Sequence, residues 1–371
     1  MQTHRIQLFT PGPVMLHPRV KAALMHAEIP HRRGAFEALF KSTQDRMRRL
    51  LGLTAEDDVV FLTGSGSAAN ECAITSLLRA GEEVVLVSNG PFGDRLSGIM
   101  TAYNIGHTVV GGTWGAPVDL HAVERALTQH PNAAWVAVVW HETGSGMRNP
   151  VRAVGELAHR LGRKVLVDGV SAFGAEDMDM VRDHMDVLTT VSNKAVGGIT
   201  GLSVVVARAG VVPPRAQVPT RNVYLSLQNH VQWAREHHQT PNTPAVTALY
   251  AMDAALAVFE EQGVAARVAH VQACSRVVRN GVRALGWSLL LPPEQSVDAL
   301  TSVCLPGHLD LEKFIDRLEA RGFSVYPGKG PFLHRNVFQV AVMGALTQAD
   351  CAHLVAALGE VADALGSRQA A

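Results

Sequence analysis

Aromatic residues make up only 5% of this 371-residue chain, and cysteine occupies only four positions. Cys72, Cys274, Cys304 and Cys351 are scattered and form no CxxC, so neither a disulfide framework nor a zinc knuckle is expected. The four read as reduced core thiols of a cytoplasmic protein. Charge of one sign is also lacking: 33 Lys and Arg balance 33 Asp and Glu. A neutral chain has no field that would gather nucleic acid or an anionic membrane. No apolar run is long enough to span a bilayer. Met1-Gln2-Thr3-His4-Arg5 leads into a Pro/Gly-rich stretch with no apolar h-region, which predicts no signal peptide. The 17 histidines include no HExxH, and the adjacent His237-His238 point in different directions on any regular element, so no metal site is expected. GxGxxG and Walker A motifs are missing, which disfavours a dinucleotide or ATP.

What remains is 47% hydrophobic, enough for a large core, and the length suggests two domains. Thr10-Pro11-Gly12-Pro13 reads as an extended, turning segment within an N-terminal arm, 1–15. From residue 59 strand-like and helix-like segments alternate: strands at 59–63, 83–88, 107–110, 134–140 and 164–168, helices at 68–79, 92–103, 120–129 and 151–161. Such alternation predicts an α/β fold, a mostly parallel sheet covered by helices on both faces. Ligands of such sheets bind outside the carboxyl ends of the strands. Residues 209–240 lose the pattern and read as a connection. Helices over 243–261 and 264–285 follow. Short strands at 288–291, 301–305, 323–326 and 337–342, interleaved with helices at 309–320 and 348–365, suggest a smaller α+β unit. The expected division is a large domain over 16–260 and a small one over 261–371.

Three features carry chemistry. Gly64-Ser65-Gly66-Ser67 lies between a strand and a helix, where backbone N–H groups and two hydroxyls suit a phosphate; the plainer alternative is a helix-capping turn. Asp168 ends the strand 164–168. A carboxylate there is costly unless it meets a cation, and the protonated ring nitrogen of pyridoxal 5′-phosphate is one; otherwise it would cap the next segment. Ser192-Asn193-Lys194, between Asp186-Val187-Leu188 and Ser203-Val204-Val205-Val206-Ala207, reads as strand, turn, strand with an amine at the end of a buried sheet. Burial lowers a lysine's pKa and makes the amine a nucleophile toward carbonyls; taken alone, the plainer alternative is a surface turn, since most lysines are exposed. The order of cradle, acid and lysine fits a pyridoxal-phosphate enzyme of the aspartate aminotransferase fold. Phe92 is a candidate face for the pyridine ring, with plain core packing as the alternative. In the loop His31-Arg32-Arg33-Gly34 the guanidinium forks suit carboxylate or phosphonate oxygens, against the alternative of a solvated turn.

The chain resembles the class V aminotransferases of PLP fold type I. Within them it is most similar to the 2-aminoethylphosphonate–pyruvate transaminases, with alanine–glyoxylate aminotransferases as relatives. The matching pieces include Thr10–Pro13, Gly64–Ser67, Val87–Gly90 with Gly93 and Arg95, Glu142-Thr143 with Gly146-Met147, Asn149-Pro150, Asp168 with Ser171, Ser192–Lys194, Thr240–Thr243 and Tyr326–Lys329. The resemblance implies that Lys194 carries the cofactor and acts as general base, that Asp168 holds the pyridine nitrogen, and that Ser65, Gly66 and Ser67 hold the phosphate. It places Thr143 near the ring hydroxyl and Ser171 and Asn193 around the cofactor. Thr243 would reach the partner subunit's phosphate, giving a homodimer with shared active sites. The implied substrates are a small amine and an oxo acid.

The departures lie on the substrate side. Gln339 stands where the family carries a carboxylate-binding arginine. A neutral amide cannot make that charge-assisted pair, whose loss costs on the order of 2–5 kcal/mol. Arg335 would compensate only if its loop turned it inward, since on a strand it would lie roughly 13 Å from Gln339. Gly144 replaces a hydroxyl residue, and Gly197 and Thr200 replace Gln and Pro. A lyase acting on an amino- or hydroxyamino-phosphonate needs no oxo acid and no such arginine, so it competes with the transaminase reading; a serine or alanine–glyoxylate transaminase is a third.

Overall fold

The computed structural model describes residues 6–366. Seven strands form the central sheet, in the spatial order 58–63, 202–207, 187–191, 164–168, 133–139, 83–88 and 107–111. All neighbouring pairs are parallel except those of Leu202–Ala207, which runs antiparallel to both Asp58–Thr63 and Val187–Val191. The antiparallel pairing follows from a short connection: residues 192–201 return the chain directly, with no crossover helix. Lys194 therefore sits on a tight turn between neighbouring strands of this sheet. Val187–Val191 is buried along its whole length, as a strand covered on both faces must be.

Helices Gly66–Leu77, Pro91–Ala102, Leu120–Gln129 and Val151–Arg160 follow the parallel strands. They present buried stripes such as Val151, Val154, Leu157 and Ala158 to the sheet. Two expectations are corrected here. The supposed connection over 209–240 contains the helix Leu227–His237, started by Ser226, whose hydroxyl accepts from Asn229 N at 3.4 Å. Its buried face is Leu227, His230, Val231 and Ala234; prolines on either side obscured an ordinary helical stripe. The single strand expected at 323–326 is two. Phe323–Ser324 pairs in parallel with Gln7–Leu8, and Tyr326–Pro327 pairs with Val337–Ala341.

The second sheet is antiparallel throughout: Ser288–Leu289, Leu300–Cys304, Val337–Ala341, Tyr326–Pro327. It has its own apolar core, including Phe314, Phe338, Val303 and Leu354. Phe9 and Val14 of the N-terminal arm belong to that core, as do Ala175 and Ala195 from beside the lysine turn. The arm is thus tied down by strand pairing and by burial. No described helix is long and apolar enough to cross a membrane.

Candidate active site

Lys194 lies on the turn that follows the strand Val187–Val191. Burial and the positive charge of Lys329 push its amine down to about 8, with Asp168 opposing and Arg95 reinforcing the shift. Its Nζ donates to the carbonyl of Pro11. The arm reaches that close because Gly12 lacks a side chain: a Cβ there would stand 2.7 Å from Lys194 Cδ and 2.9 Å from Nζ, at φ +120°. Gly12→Ala is accordingly expected to displace the arm from the lysine and lower catalytic turnover at least tenfold. Cofactor content measured alongside kcat checks this. Lys194 also sets a pH dependence. The folded protein releases this proton near pH 8 and the unfolded chain near 10.5. The unfolded state binds more protons between those values, so the cofactor-free protein gains stability as pH rises from about 8 to about 10.5. Thermal unfolding over that range reads the slope, and Lys194→Met removes this contribution.

Asp168 is 5% exposed. It accepts from Asn70 Nδ2 at 2.7 Å and from Val170 N at 2.9 Å. Asn70 is held in turn by the Thr189 hydroxyl, which donates to its Oδ1. Burial pushes the carboxyl up despite these donors, and Arg95 and Lys194 act on it only through space. A deeply buried acid with two neutral donors and no ion pair among the described residues is built for a cation that arrives from outside.

Ser65 caps the helix Gly66–Leu77 from an extended conformation, yet its side chain makes no capping bond. Its carbonyl is held by Ser203 Oγ at 2.7 Å, which anchors the cradle to the strand leading away from Lys194. Arg95 Nη1 donates to Ser67 Oγ at 3.2 Å. At Gly66 a Cβ would stand 2.8 Å from Val170 Cγ2, two residues after Asp168, so the cradle and the acid approach through a glycine.

Phe92 opens the helix Pro91–Ala102, and that helix start is clamped by the fully buried Glu142. Glu142 accepts from Gly93 N at 2.6 Å and Phe92 N at 3.2 Å. Burial raises its carboxyl to about 7 against those two donors. Two cations lie over the Phe92 ring, Arg95 Cζ at 4.9 Å and Lys329 Nζ at 5.0 Å from its centroid. Thr143 is buried beside Glu142. Ser171 is buried too, and its carbonyl faces His141 Nδ1 at 3.1 Å. Asn193 is half-buried next to the lysine.

The substrate-side residues are placed differently. Gln339 is 1% exposed, on the strand Val337–Ala341. Its Nε2 donates to the carbonyls of Thr143 at 2.6 Å and Gly144 at 3.0 Å and to Ser302 Oγ at 3.3 Å. Its amide donors are engaged in tying the second sheet to the Thr143 loop. Gly144 has a steric reason, because a Cβ there would meet the ring of Pro91. Arg335 lies before the strand, exposed, with its Cζ 6.0 Å from the Phe332 ring centroid. Arg32 spans Gln239 Oε1 at 3.0 Å and the carbonyls of Thr240 and Pro241 at 2.5 and 2.9 Å, and lies 4.4 Å over Trp233. Its guanidinium thus braces the segment that carries Thr243, which is itself exposed. Arg33 is exposed and starts the helix Gly34–Leu50.

Sequence reasoning gave no role to Asn70, Thr189, Glu142, Arg95 or Lys329. Glu142, Arg95 and Lys329 stood inside recognisable motifs. Asn70 and Thr189 carry no local signal, since Asn70 reaches Asp168 across 98 positions of chain and Thr189 reaches Asn70 across 119. No cluster of three or more metal-ligating side chains occurs among the described residues.

A buried acid awaiting a cation, a lysine amine brought close to neutrality and a backbone anion cradle define a pyridoxal-phosphate enzyme of fold type I. The profile of the family described as "Aminotransferase class-V" matches residues 19–330. The chain belongs to the class V aminotransferases. It is 31% identical to the 2-aminoethylphosphonate–pyruvate transaminase of Salmonella schwarzengrund over 96% of this chain and 98% of that one. The structure is similar to alanine–glyoxylate aminotransferase from Nostoc, with TM-score 0.90 and 25% identity, covering 98% of this chain and 96% of that one. Pyridoxamine–pyruvate aminotransferase from Mesorhizobium loti gives 0.88 and 25%, covering 98% and 93%.

Proposed function

We propose that this aminotransferase moves the amino group of a small phosphonate-bearing amine, such as 2-aminoethylphosphonate, to an oxo acid such as pyruvate. The observation that carries this reading is the exchange of cations around the site. The position of the usual carboxylate arginine is the buried, internally bonded Gln339, whereas Arg95 and Lys329 both lie against Phe92 and form no ion pair among the described residues, Glu142 and Asp168 acting on them only through space. A tetrahedral dianion makes good use of two separate cations; a planar carboxylate prefers one guanidinium fork. The Salmonella relative bears the corresponding name.

Pyridoxal phosphate supplies an aldehyde and an electron sink. Ser65, Gly66 and Ser67 would hold its phosphate, Asp168 would hold the positive charge of its ring nitrogen, and Phe92, Thr143, Ser171 and Asn193 would line the rest. Lys194 Nζ, uncharged in a good fraction of molecules near pH 8, takes a proton from the substrate carbon and returns one to the neighbouring position. The hydrogen bond to Pro11 holds that amine beside the arm. Thr243, exposed on the segment braced by Arg32, would complete the partner subunit's phosphate site in a cytoplasmic homodimer. The proposed division is a large domain, 16–260, carrying cofactor and lysine, and a small domain, 261–371, carrying Gln339 and Lys329.

Steady-state kinetics test the reading: 2-aminoethylphosphonate with pyruvate should turn over and form alanine, and turnover confined to other amine and oxo-acid pairs would overturn it. Lys329→Gln is expected to raise KM for the phosphonate amine about tenfold, equivalent to about 1.4 kcal/mol, with a smaller change for pyruvate. Gln339 supports a second reading, a lyase on an amino- or hydroxyamino-phosphonate, because its bonded amide offers an oxo acid no cation. Ammonia release from the amine alone, without pyruvate, identifies that case.

A further inference from the structure

Beside the lysine turn lies a cavity of about 340 Å³ whose lining includes neither Lys194, nor Asp168, nor the Gly64–Ser67 cradle. It is bounded by Val196 and Gly197 of the turn, by Val258 and Gln262 at the end of the helix Val246–Gln262, and by Arg267 and His270 of the helix Val264–Ala284. Its walls are mainly aliphatic, and none of the residues lining it is acidic.

Arg267 is the unusual member. It is 9% exposed, and burial lowers its guanidinium to about 10. Nε donates to Gly174 O at 2.9 Å, and Nη2 to the carbonyls of Ala195 and Val196. Nη1 has only Gln262 Oε1, at a long 3.4 Å. Its other side rests on the Phe259 ring, 4.9 Å away. A buried charge normally meets an opposite one. Here every partner among the described residues is neutral, and the weakest-bonded edge belongs to a residue that lines the cavity. His270 adds a second basic group, bonded through Nε2 to Leu346 O at 2.8 Å.

We infer that this cavity is a second ligand site, distinct from the cofactor site, which takes a small carboxylate with a short hydrocarbon tail. The carboxylate would supply the counter-charge that Arg267 lacks, and the tail would cover Val258 and the aliphatic walls. Inorganic phosphate, strongly hydrated and without apolar surface, suits such walls poorly. The volume falls within the range of small-molecule pockets. Because Arg267 holds the carbonyls of Ala195 and Val196, an occupant of this site touches the turn that carries Lys194. The inference stands independently of which amine the enzyme uses.

Hexanoate binding to the holoprotein, followed by isothermal titration calorimetry with hexylamine and hexanol as controls, tests it. Saturable binding of hexanoate alone, near one per chain, is expected. Gln262→Glu places a carboxylate in the same volume beside Arg267. It should raise the thermal midpoint and weaken hexanoate at least tenfold by filling the role of the ligand's charge. Val258→Trp fills the cavity from a half-buried position and should abolish binding while the absorption of the bound cofactor is unchanged. Absence of hexanoate binding to the unaltered protein, equal binding of hexylamine, or binding undiminished in Gln262→Glu would each overturn the proposal.

Discussion

Lys194→Ala is expected to lower the rate of amino-group transfer by roughly 10²–10⁴-fold through the lost proton transfer alone, and further where the amine also speeds exchange of substrate for product. The variant should not be a folding mutant. Lys194 bears a desolvation cost, visible in an amine brought from 10.5 to about 8, and it satisfies no buried acid directly. Removing it relieves that cost at neutral pH, so the cofactor-free variant should unfold at the same temperature or higher. Single-turnover kinetics with the purified variant, set beside its thermal midpoint, separate the two effects. A fall in both together would mean that the lysine acts as a structural pin for the arm at Pro11.

The second large effect is expected at Asp168. Asp168→Asn keeps the shape and removes the charge. The relay that holds it has a direction: Thr189 donates to Asn70 and Asn70 donates to Asp168. With that direction kept, the substituted amide presents its oxygen to Asn70 and its nitrogen to the Val170 N–H, donor against donor; the clash is relieved only if Asn70 flips and the Thr189 hydroxyl turns to Val167 O. The larger loss comes with the cofactor bound, whose ring cation then lies buried without its counter-charge. Deleting one partner of such a pair costs about 2–5 kcal/mol, which is roughly 30- to 5,000-fold in kcat. A spectrophotometric pH titration of the holoprotein gives a signature that mere structural damage would not. The proton on the ring should leave at lower pH in the variant than in the native protein. Activity within about threefold of native would show that Asp168 does not carry this charge.

The fold was largely legible because its signals are local. Apolar runs such as Val165–Val167 and Val187–Val191 mark strands at any position in a buried sheet, and the helical stripes between them mark crossovers. The candidate chemical centre was legible only in combination: the cradle, Asp168 and Lys194 each have a plainer reading alone, and it is their order along the chain, each at the end of a strand, that points to one chemistry. Contacts with no local pattern were not legible. Gln339 looked like a weakened substrate residue, but its amide is bound to carbonyls nearly 200 positions away. Arg32 reads as either a solvated turn or an anion clamp, and its fork instead holds the Thr240 segment across 208 positions. The arm reads as an extended, turning segment with nothing local to announce its partners, yet Gln7–Leu8 pairs with Phe323–Ser324 and Gly12 lies against Lys194. The helix Leu227–His237 was hidden by flanking prolines that bound it without interrupting it. Lys329 was visible as part of Tyr326-Pro327-Gly328-Lys329, but only the folded chain puts it over Phe92.

The substrate reading rests on how the two cations beside Phe92 are used, and the bound cofactor's own absorption reports it without coupled enzymes. Holoprotein is mixed first with 2-aminoethylphosphonate and then with pyruvate. A spectrum that changes on addition of the amine, returns on addition of pyruvate and is accompanied by no free ammonia is the predicted result. A spectrum indifferent to the amine, or ammonia released before pyruvate is added, would contradict it.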